Sequence, residues 1–367
     1  LDLEYADHKN FTPVFFVTPQ QNNDESRLSK NRYAKENWLW ENTLNYHVEL
    51  EDHTLDVVGG YTAQEDYWED LSVLGRNLLR EDIHYLSNDM TDISIGNNAG
   101  IKSMVSYLFR VNYVLKDRYL VTSTFRRDGS SAFTNENRWG NFPSFAVGWR
   151  ISEESFFNLP HVNNLKVRGS WGIVGNDKVS VNERYTLVQD QRGSVFGRDE
   201  VLYPGATYSN TGNPLVRWEE AAQFNFGAEA GIFDDRLKME VDYYNKTTKD
   251  IMIDLSQPAH VGNGAYSEVK FNAADVLNTG LEYSLSWKDH IGDFFYEFNT
   301  IGSTVHNEVL ALGEDIGADD FVIMGSLGNG QNVKRVQVGQ PIGFFYGYEV
   351  AGVFQNEEEL DQYPRLS

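Results

Sequence analysis

The chain of 367 residues contains no cysteine. A disulfide framework, a thiolate metal site and a thiol nucleophile are therefore excluded. Long apolar runs are also missing, since no stretch approaches the roughly 20 consecutive residues that a membrane-spanning helix needs. A helical membrane protein is excluded, whereas a membrane β-barrel, whose strands carry a much weaker hydropathy signal, is compatible with the sequence.

Positive charge is scarce. The chain has 31 lysines and arginines against 54 aspartates and glutamates, which gives a formal net charge of -23 at pH 7. A nucleic-acid-binding surface needs the opposite sign, so DNA and RNA are excluded as partners. Acidic, asparagine-rich loops that face water account for the charge.

Signatures of catalysis are also absent. The sequence has no HExxH, GxSxG or P-loop pattern, and its eight histidines are scattered without a second ligand at metal spacing. We therefore predict that the protein is not an enzyme and holds no cofactor. The acidic group of Glu314, Asp315, Asp319 and Asp320 has the oxygen ligands that Ca²⁺ prefers, but it lacks the EF-hand pattern, which favours a solvated loop.

Aromatic residues are abundant and lie in alternating patterns. They make up 14% of the chain, which is typical of the aromatic girdles of membrane barrels. In the central stretch 117–150, Tyr119, Val121 and Phe125 alternate with mostly polar residues, and Phe145 and Val147 do so after a polar loop. Because side chains alternate between the faces of a strand, each segment has one apolar and one polar or small face.

The same alternation recurs along the chain and predicts about 11 strands, most of them about 10 residues long. Strands of that length are typical of membrane barrels, whereas strands of globular proteins average about 5–6 residues. The predicted strands lie at 38–50, 55–63, 105–113, 119–126, 144–150, 165–173, 224–232, 237–244, 281–288, 294–299 and 344–354.

Other segments are less regular. We predict a short or edge strand at Phe11–Val17, because Pro13 interrupts it. We predict a loop at 20–31. Leu71, Leu74 and Leu78 have helical spacing and predict a short helix within 71–86. The polar segment 307–341 has room for a further strand.

The connections between predicted strands alternate in length. Short turns at 51–53, 116–118, 234–235 and 289–293 alternate with long connections at 65–102, 128–141, 175–217 and 247–279. An outer-membrane barrel has this order, with short periplasmic turns and long external loops. The sequence therefore predicts an all-β protein with a transmembrane antiparallel β-barrel. A soluble β-sandwich is the alternative, because alternation alone fits both.

Long sequence blocks between about Ser103 and Asn356 resemble the SusC/RagA family of TonB-dependent outer-membrane transporters. The blocks are RVNYVLKDRYLVTSTFRRDGSSAF, NRWGNFPSFAVGWRISEESFF, NLKVRGSWGIVGN, NPLVRWEEAAQFNFGAEAGIFDDRLKMEVDYYNKTTKDIM, NTGLEYSL and GQPIGFFYGYEVAGVFQN. The resemblance implies a barrel of about 22 strands around a plug. On this basis residues 1–367 are expected to be an internal part of the barrel domain, without signal peptide, plug or C-terminal strands.

The resemblance also implies a function in the bacterial outer membrane. The expected activity is TonB-dependent import of oligosaccharides or peptides, without catalysis. The expected partners are a SusD-like surface lipoprotein, the TonB–ExbB–ExbD complex acting through the plug, and outer-membrane lipid. No cofactor is expected in these residues, and any Ca²⁺ would belong to the full complex. The alternative from a different class is a secreted or surface β-sandwich that binds carbohydrate or adheres to surfaces.

Aromatic residues in the predicted long connections are the candidate ligand contacts, because aromatic faces stack on sugar rings. The alternative is loop packing or anchoring at the membrane interface. The candidates are Trp68, Trp139, Tyr203, Tyr208 and Trp218, and the loop aromatics Tyr67 and Phe196 are of the same kind.

Overall fold

A computed structural model describes the chain except for residues 81, 83, 88–89, 190–192, 199–200, 257–267, 314–320, 328–330, 351 and 363–367. Nearly all regular structure is β. Two short helical segments are a 3₁₀ turn at Ile151–Glu153 and α1 at Glu357–Gln362. Among the described residues, no helix combines the length and apolar character needed to cross a membrane.

One antiparallel sheet of 12 strands dominates the fold. Its strands are β1 (Asp2–Thr12), β4 (Arg27–Leu50), β5 (His53–Arg76), β6 (Thr91–Leu115), β7 (Tyr119–Ser130), β8 (Trp139–Arg150), β9 (Val162–Asn176), β14 (Glu219–Ile232), β15 (Leu237–Ser256), β16 (Glu268–Ile291), β17 (Phe294–Ser303) and β18 (His306–Leu312). The short strands outside it are β2 (Phe15–Thr18), β3 (Gln21–Asn23), β10 (Leu187–Gln189), β11 (Ser194–Phe196), β12 (Val201–Tyr203), β13 (Thr207–Asn210), β19 (Phe321–Ser326), β20 (Asn332–Gln337) and β21 (Phe344–Phe345).

The large sheet is an up-and-down meander in which each strand pairs with the next large strand of the chain. Its order is β1-β4-β5-β6-β7-β8-β9-β14-β15-β16-β17, and β18 pairs with the far end of β16. This order confirms the predicted antiparallel wall, with 12 strands rather than about 11.

The predicted short turns are confirmed at one end of the sheet. Lys116 and Asp117 both have φ of 52°, and Asp234 and Asp235 have φ of 56° and 59°. Aspartate tolerates this left-handed conformation better than most residues, so the sequence supplies turn formers where the strands reverse.

The predicted helix within 71–86 is wrong. Strand β5 continues to Arg76, and Leu71 pairs with Arg32 of β4 and Asn97 of β6. Backbone pairing on both sides outweighs the leucine spacing, because an interior strand satisfies every amide in its ladders. The connection predicted at 65–102 is consequently shorter, since β5 ends at Arg76 and β6 begins at Thr91.

Further boundaries also differ from expectation. The loop predicted at 20–31 contains β3 and the start of β4, and the connection predicted at 247–279 contains the far ends of β15 and β16. The strand predicted at 344–354 is confined, within the described residues, to Phe344–Phe345. The segment 307–341, where the sequence left room for a further strand, contains β18, β19 and β20. The far ends of β15 and β16 were missed because a bulge at Thr248/Ile251 shifts their alternation.

The two faces of the sheet differ in polarity. On β15, Met239, Val241 and Tyr243 share one face with the cross-strand residue Tyr283, and all four are 39–49% exposed. We call this apolar side the outer face. The opposite, inner face carries Lys238, Glu240 and Asp242 on the same strand. An exposed apolar surface of this extent indicates contact with a membrane or another protein.

Candidate functional site

An ion-pair network on the inner face joins strands β9, β14 and β15. The guanidinium of Arg168 contacts the carboxylate of Glu229 and lies 2.5 Å from Glu240 and 2.6 Å from Asp242. Lys166 lies 3.2 Å from the same Glu229 carboxylate. One arginine therefore bridges carboxylates on two neighbouring strands.

Strand register brings these charges together. Gly227 pairs with Arg168 on one side and with Asp242 on the other, and Glu229 pairs with Glu240. A Cβ at Gly227 would collide with the Asp242 carboxylate and lie 2.8 Å from Nε of Arg168. The glycine thus leaves the space through which the arginine reaches across β14 to β15.

The network borders a polar hollow of about 670 Å³ on the inner face. Its lining includes Asn225, Tyr244, Lys246, Glu282 and Ser284. Mixed charges and amides of this kind hold water or bind a polar partner, and they contrast with the apolar lining of most small-molecule pockets.

Removing the arginine should destabilise this part of the wall. Arg168→Ala leaves three carboxylates without their shared cation, and we expect a loss of about 2 kcal/mol in the free energy of unfolding. This is below the roughly 3–5 kcal/mol of a fully buried network, because the Arg168 side chain is 35% exposed and water screens its charge. Urea unfolding of the purified protein measures the difference.

The control is Arg236→Ala. Arg236 forms one exposed ion pair with Asp289 at 3.4 Å, so its loss should cost well under 1 kcal/mol. Equal destabilisation by the two substitutions would show that the Arg168 network contributes no more than a surface pair.

A small hydrophobic core lies at the end of the sheet opposite the short turns. It consists of Ala132, Phe133, Phe142, Val179, Val216 and Trp218. The Trp218 ring lies 5.1 Å from Phe133 and 5.3 Å from Phe142, measured between centroids. Residues from the connection after β7 and the long connection after β9 meet here, together with Phe142 of β8. We call these six residues the loop core.

Hydrogen bonds to main-chain carbonyls fasten the same connections. The Trp218 indole donates to the Arg138 carbonyl at 3.1 Å, and the Asn137 amide donates to the Leu215 carbonyl at 3.1 Å. Arg184 donates to the Phe133 carbonyl at 2.7 Å. The loop core is therefore a fixed platform at the base of these connections.

The structure places the five candidate ligand contacts in different settings. Trp68 lies on the inner face of β5 rather than in a loop, whereas Trp139 begins β8 on the outer face and is 40% exposed. Tyr203 in β12 and Tyr208 in β13 are 53% and 54% exposed. Trp218 is buried in the loop core, which favours the packing alternative for that residue.

Trp68 has a setting suited to a flat ligand. Its cross-strand partner in β6 is Gly100, and a Cβ there would lie 2.7 Å from Nε1 of Trp68. The indole therefore lies against the bare backbone of Gly100. Nearby on the inner face, the Asn37 amide donates to Asp66 at 2.6 Å, and Lys35 lies 3.7 Å from the same carboxylate.

Trp139 has a different environment. It stacks on Tyr107 at 6.1 Å between centroids, and the Arg127 guanidinium lies 5.1 Å from its ring. Tyr107 is an outer-face residue of β6, so this cluster belongs to the apolar side of the wall. Tyr67 is also in β5, and Phe196 ends β11.

No metal centre is found in the described part of the chain, where acidic and histidine side chains do not gather in groups of three or more. The candidate Ca²⁺ residues Glu314, Asp315, Asp319 and Asp320 lie outside the described residues.

Comparison with known proteins places the chain in a family. Residues 2–332 match the family described as TonB dependent receptor-like, beta-barrel. TonB-dependent receptor P39 of Formosa agariphila is 32% identical over 332 residues, which cover 87% of this chain and 29% of that protein. TonB-dependent receptor SusC of Bacteroides thetaiotaomicron is 33% identical over 258 residues, which cover 67% of this chain and 25% of that protein.

A solved structure shows the same fold. The RagAB peptide transporter superposes with a TM-score of 0.78 at 22% identity, covering 96% of this chain and 37% of the other. The chain thus spans between 25% and 37% of the length of these three proteins. The predicted membrane barrel and the SusC/RagA resemblance are confirmed, and the soluble β-sandwich is wrong. The chain belongs to the TonB-dependent receptor β-barrel family of the bacterial outer membrane, a family of receptors and transporters rather than enzymes.

Proposed function

We propose that this chain forms part of the wall of a TonB-dependent importer for oligosaccharides. All 367 residues then belong to the barrel domain, the inner face borders the lumen, and the short turns face the periplasm. A SusD-like surface lipoprotein captures the substrate, and the TonB–ExbB–ExbD complex supplies the energy. Similarity to SusC supports this assembly at the family level.

The observation that carries the choice of substrate is the position of Trp68. Its ring lies over Gly100 on the lumen-facing side of the sheet, beside the Asn37, Asp66 and Lys35 group. An aromatic face flanked by hydrogen-bonding groups suits a sugar ring, which presents C–H bonds to the ring and hydroxyl groups to its neighbours. Trp68 is in a half-buried position, so part of it is accessible.

Binding of oligosaccharides to the purified protein with its lipoprotein partner tests this proposal. Trp68→Ala should weaken the binding of a panel of neutral oligosaccharides about tenfold, which corresponds to about 1.4 kcal/mol of lost stacking. Calorimetry gives the dissociation constants directly, and a panel of oligopeptides is measured in parallel.

The matched control is Trp139→Ala, which removes the same side chain from the outer face and should leave binding unchanged. Unchanged oligosaccharide binding by Trp68→Ala would overturn the assignment of Trp68. Binding of oligopeptides alone would overturn the choice of substrate.

A further inference from the structure

An apolar groove lies on the outer face, towards the short-turn end of the sheet. Its volume is about 490 Å³ and its lining includes Tyr119, Val147, Trp149, Val167, Gly169 and Phe226. This volume is within the roughly 300–1,000 Å³ of small-molecule sites. All six residues are at outer-face positions of β7, β8, β9 and β14.

The groove exists because Gly169 interrupts a row of large outer-face side chains. Its cross-strand partners are Val147 and Phe226, which are 44% and 52% exposed. A Cβ added to Gly169 would meet only Val147 at 3.9 Å and the Asn225 carbonyl at 4.0 Å. The space that a side chain would fill is therefore open, with an aliphatic wall on one side and an aromatic wall on the other.

Aromatic residues with polar tips mark one end of the groove. Tyr119 and Trp149 stack at 6.5 Å between centroids, and both donate to the Glu154 carboxylate, at 2.5 Å and 3.0 Å. These two hydrogen bonds, the one from Tyr119 foremost, lower the pKa of Glu154, which lies in the turn beyond the membrane-spanning strands. Tyrosine and tryptophan with hydrogen-bonded tips are typical of the membrane–water interface.

This arrangement sets the depth and direction of the groove. The Tyr119 and Trp149 end is next to the short turn 116–118, which faces the periplasm in an outer-membrane barrel. From there the groove extends along Val147 and Gly169 towards the middle of the wall, where its surroundings are hydrocarbon. The outer-face side chains that border it at that depth are apolar, and the charged group of Arg168, which also borders it, is held by carboxylates on the inner face. The groove therefore offers mainly dispersion contacts.

We propose that the groove binds one acyl chain of a phospholipid from the periplasmic leaflet. An acyl chain in the groove fills the space above Gly169 and contacts Val147, Val167 and Phe226 on three sides. On a flat wall the same acyl chain would contact protein on one side only. The headgroup then lies level with Tyr119 and Trp149. The inference rests on the family and its membrane and does not depend on which substrate is transported.

Lipid retention by the protein purified from outer membranes in a mild detergent tests this inference. Native mass spectrometry of the wild-type protein should show one retained phospholipid. Gly169→Leu fills the groove from its floor, and Val147→Phe fills it from one wall. Each substitution should reduce phospholipid occupancy at least fivefold, and the unfolded band on a gel of unheated sample identifies any variant that fails to fold.

The matched control is Gly59→Leu. Gly59 is an outer-face glycine of β5, paired with Leu44 and Phe109, and a Cβ there meets nothing within 4 Å. This variant should retain the phospholipid. The inference is overturned if the folded Gly169→Leu and Val147→Phe variants retain phospholipid like the wild type, if the wild type retains none, or if the retained molecule is a lipopolysaccharide.

Discussion

Trp218→Ala should lower the free energy of local unfolding of the loop core by about 3 kcal/mol. The side chain is 6% exposed and contacts Phe133 and Phe142, and truncation of a buried tryptophan typically costs about 3–5 kcal/mol. We take the lower end because the core is small and lies at the end of the wall. The Arg138 carbonyl also loses its indole donor.

The effect should be local. The strands keep their backbone hydrogen bonds, so the barrel should still assemble. Amides in 131–138 and 177–186 should exchange hydrogen about 100-fold faster, because the free energy of local opening falls by about 3 kcal/mol. Hydrogen-exchange mass spectrometry resolves these segments. Trp171→Ala, which removes an outer-face tryptophan that is 44% exposed, serves as the control and should leave their exchange unchanged. Equal exchange in the Trp218→Ala and wild-type proteins would mean that the loop core does not hold the connections.

Val241→Arg should reduce the free energy of folding of the barrel into the membrane by about 2–4 kcal/mol. A charge at the middle of the lipid-facing wall loses its hydration. Val241 is an outer-face residue that is 44% exposed, and it lies midway along the span of about 10 residues that begins at Leu237. The fraction of folded protein in lipid vesicles, titrated with urea, measures the effect.

The control places the same charge on the other face. Ser284 of β16 is an inner-face residue paired with Glu240, so Ser284→Arg brings a cation beside a carboxylate in a hydrated setting. We expect that variant to fold within about 0.5 kcal/mol of the wild type. Similar losses in the two variants would contradict the assignment of the faces.

The wall within the membrane could be predicted from the sequence because lipid on one side and a polar lumen on the other impose strict alternation. Beyond the membrane this constraint ends. In β5, Glu65 and Glu69 lie on the outer face while Asp66 and Asp70 lie on the inner face, since both faces there meet water. The far half of β5 therefore has no alternation of apolar and polar residues. The leucine spacing at 71–78 indicated a helix instead.

Contacts within the site were harder to predict than the strands. The sequence placed Lys166 and Arg168 on the same face of their strand. Their pairing with Glu229, Glu240 and Asp242, however, depends on the register between β9 and β14. These strands are separated by the connection 177–218. The burial of Trp218 likewise depends on that connection folding back onto Phe133 and Phe142, which no local pattern indicates.

Alternate side chains of β15 should face lipid and water, and their accessibility can be measured one position at a time. Because the chain has no cysteine, single cysteines at Met239, Glu240, Val241, Asp242 and Tyr243 can each carry a spin label in lipid vesicles. Collision with oxygen, which concentrates in lipid, should be high at 239, 241 and 243, and collision with a water-soluble nickel complex should be high at 240 and 242. Equal access of the nickel complex to all five positions would contradict a barrel wall whose outer face lies in the membrane.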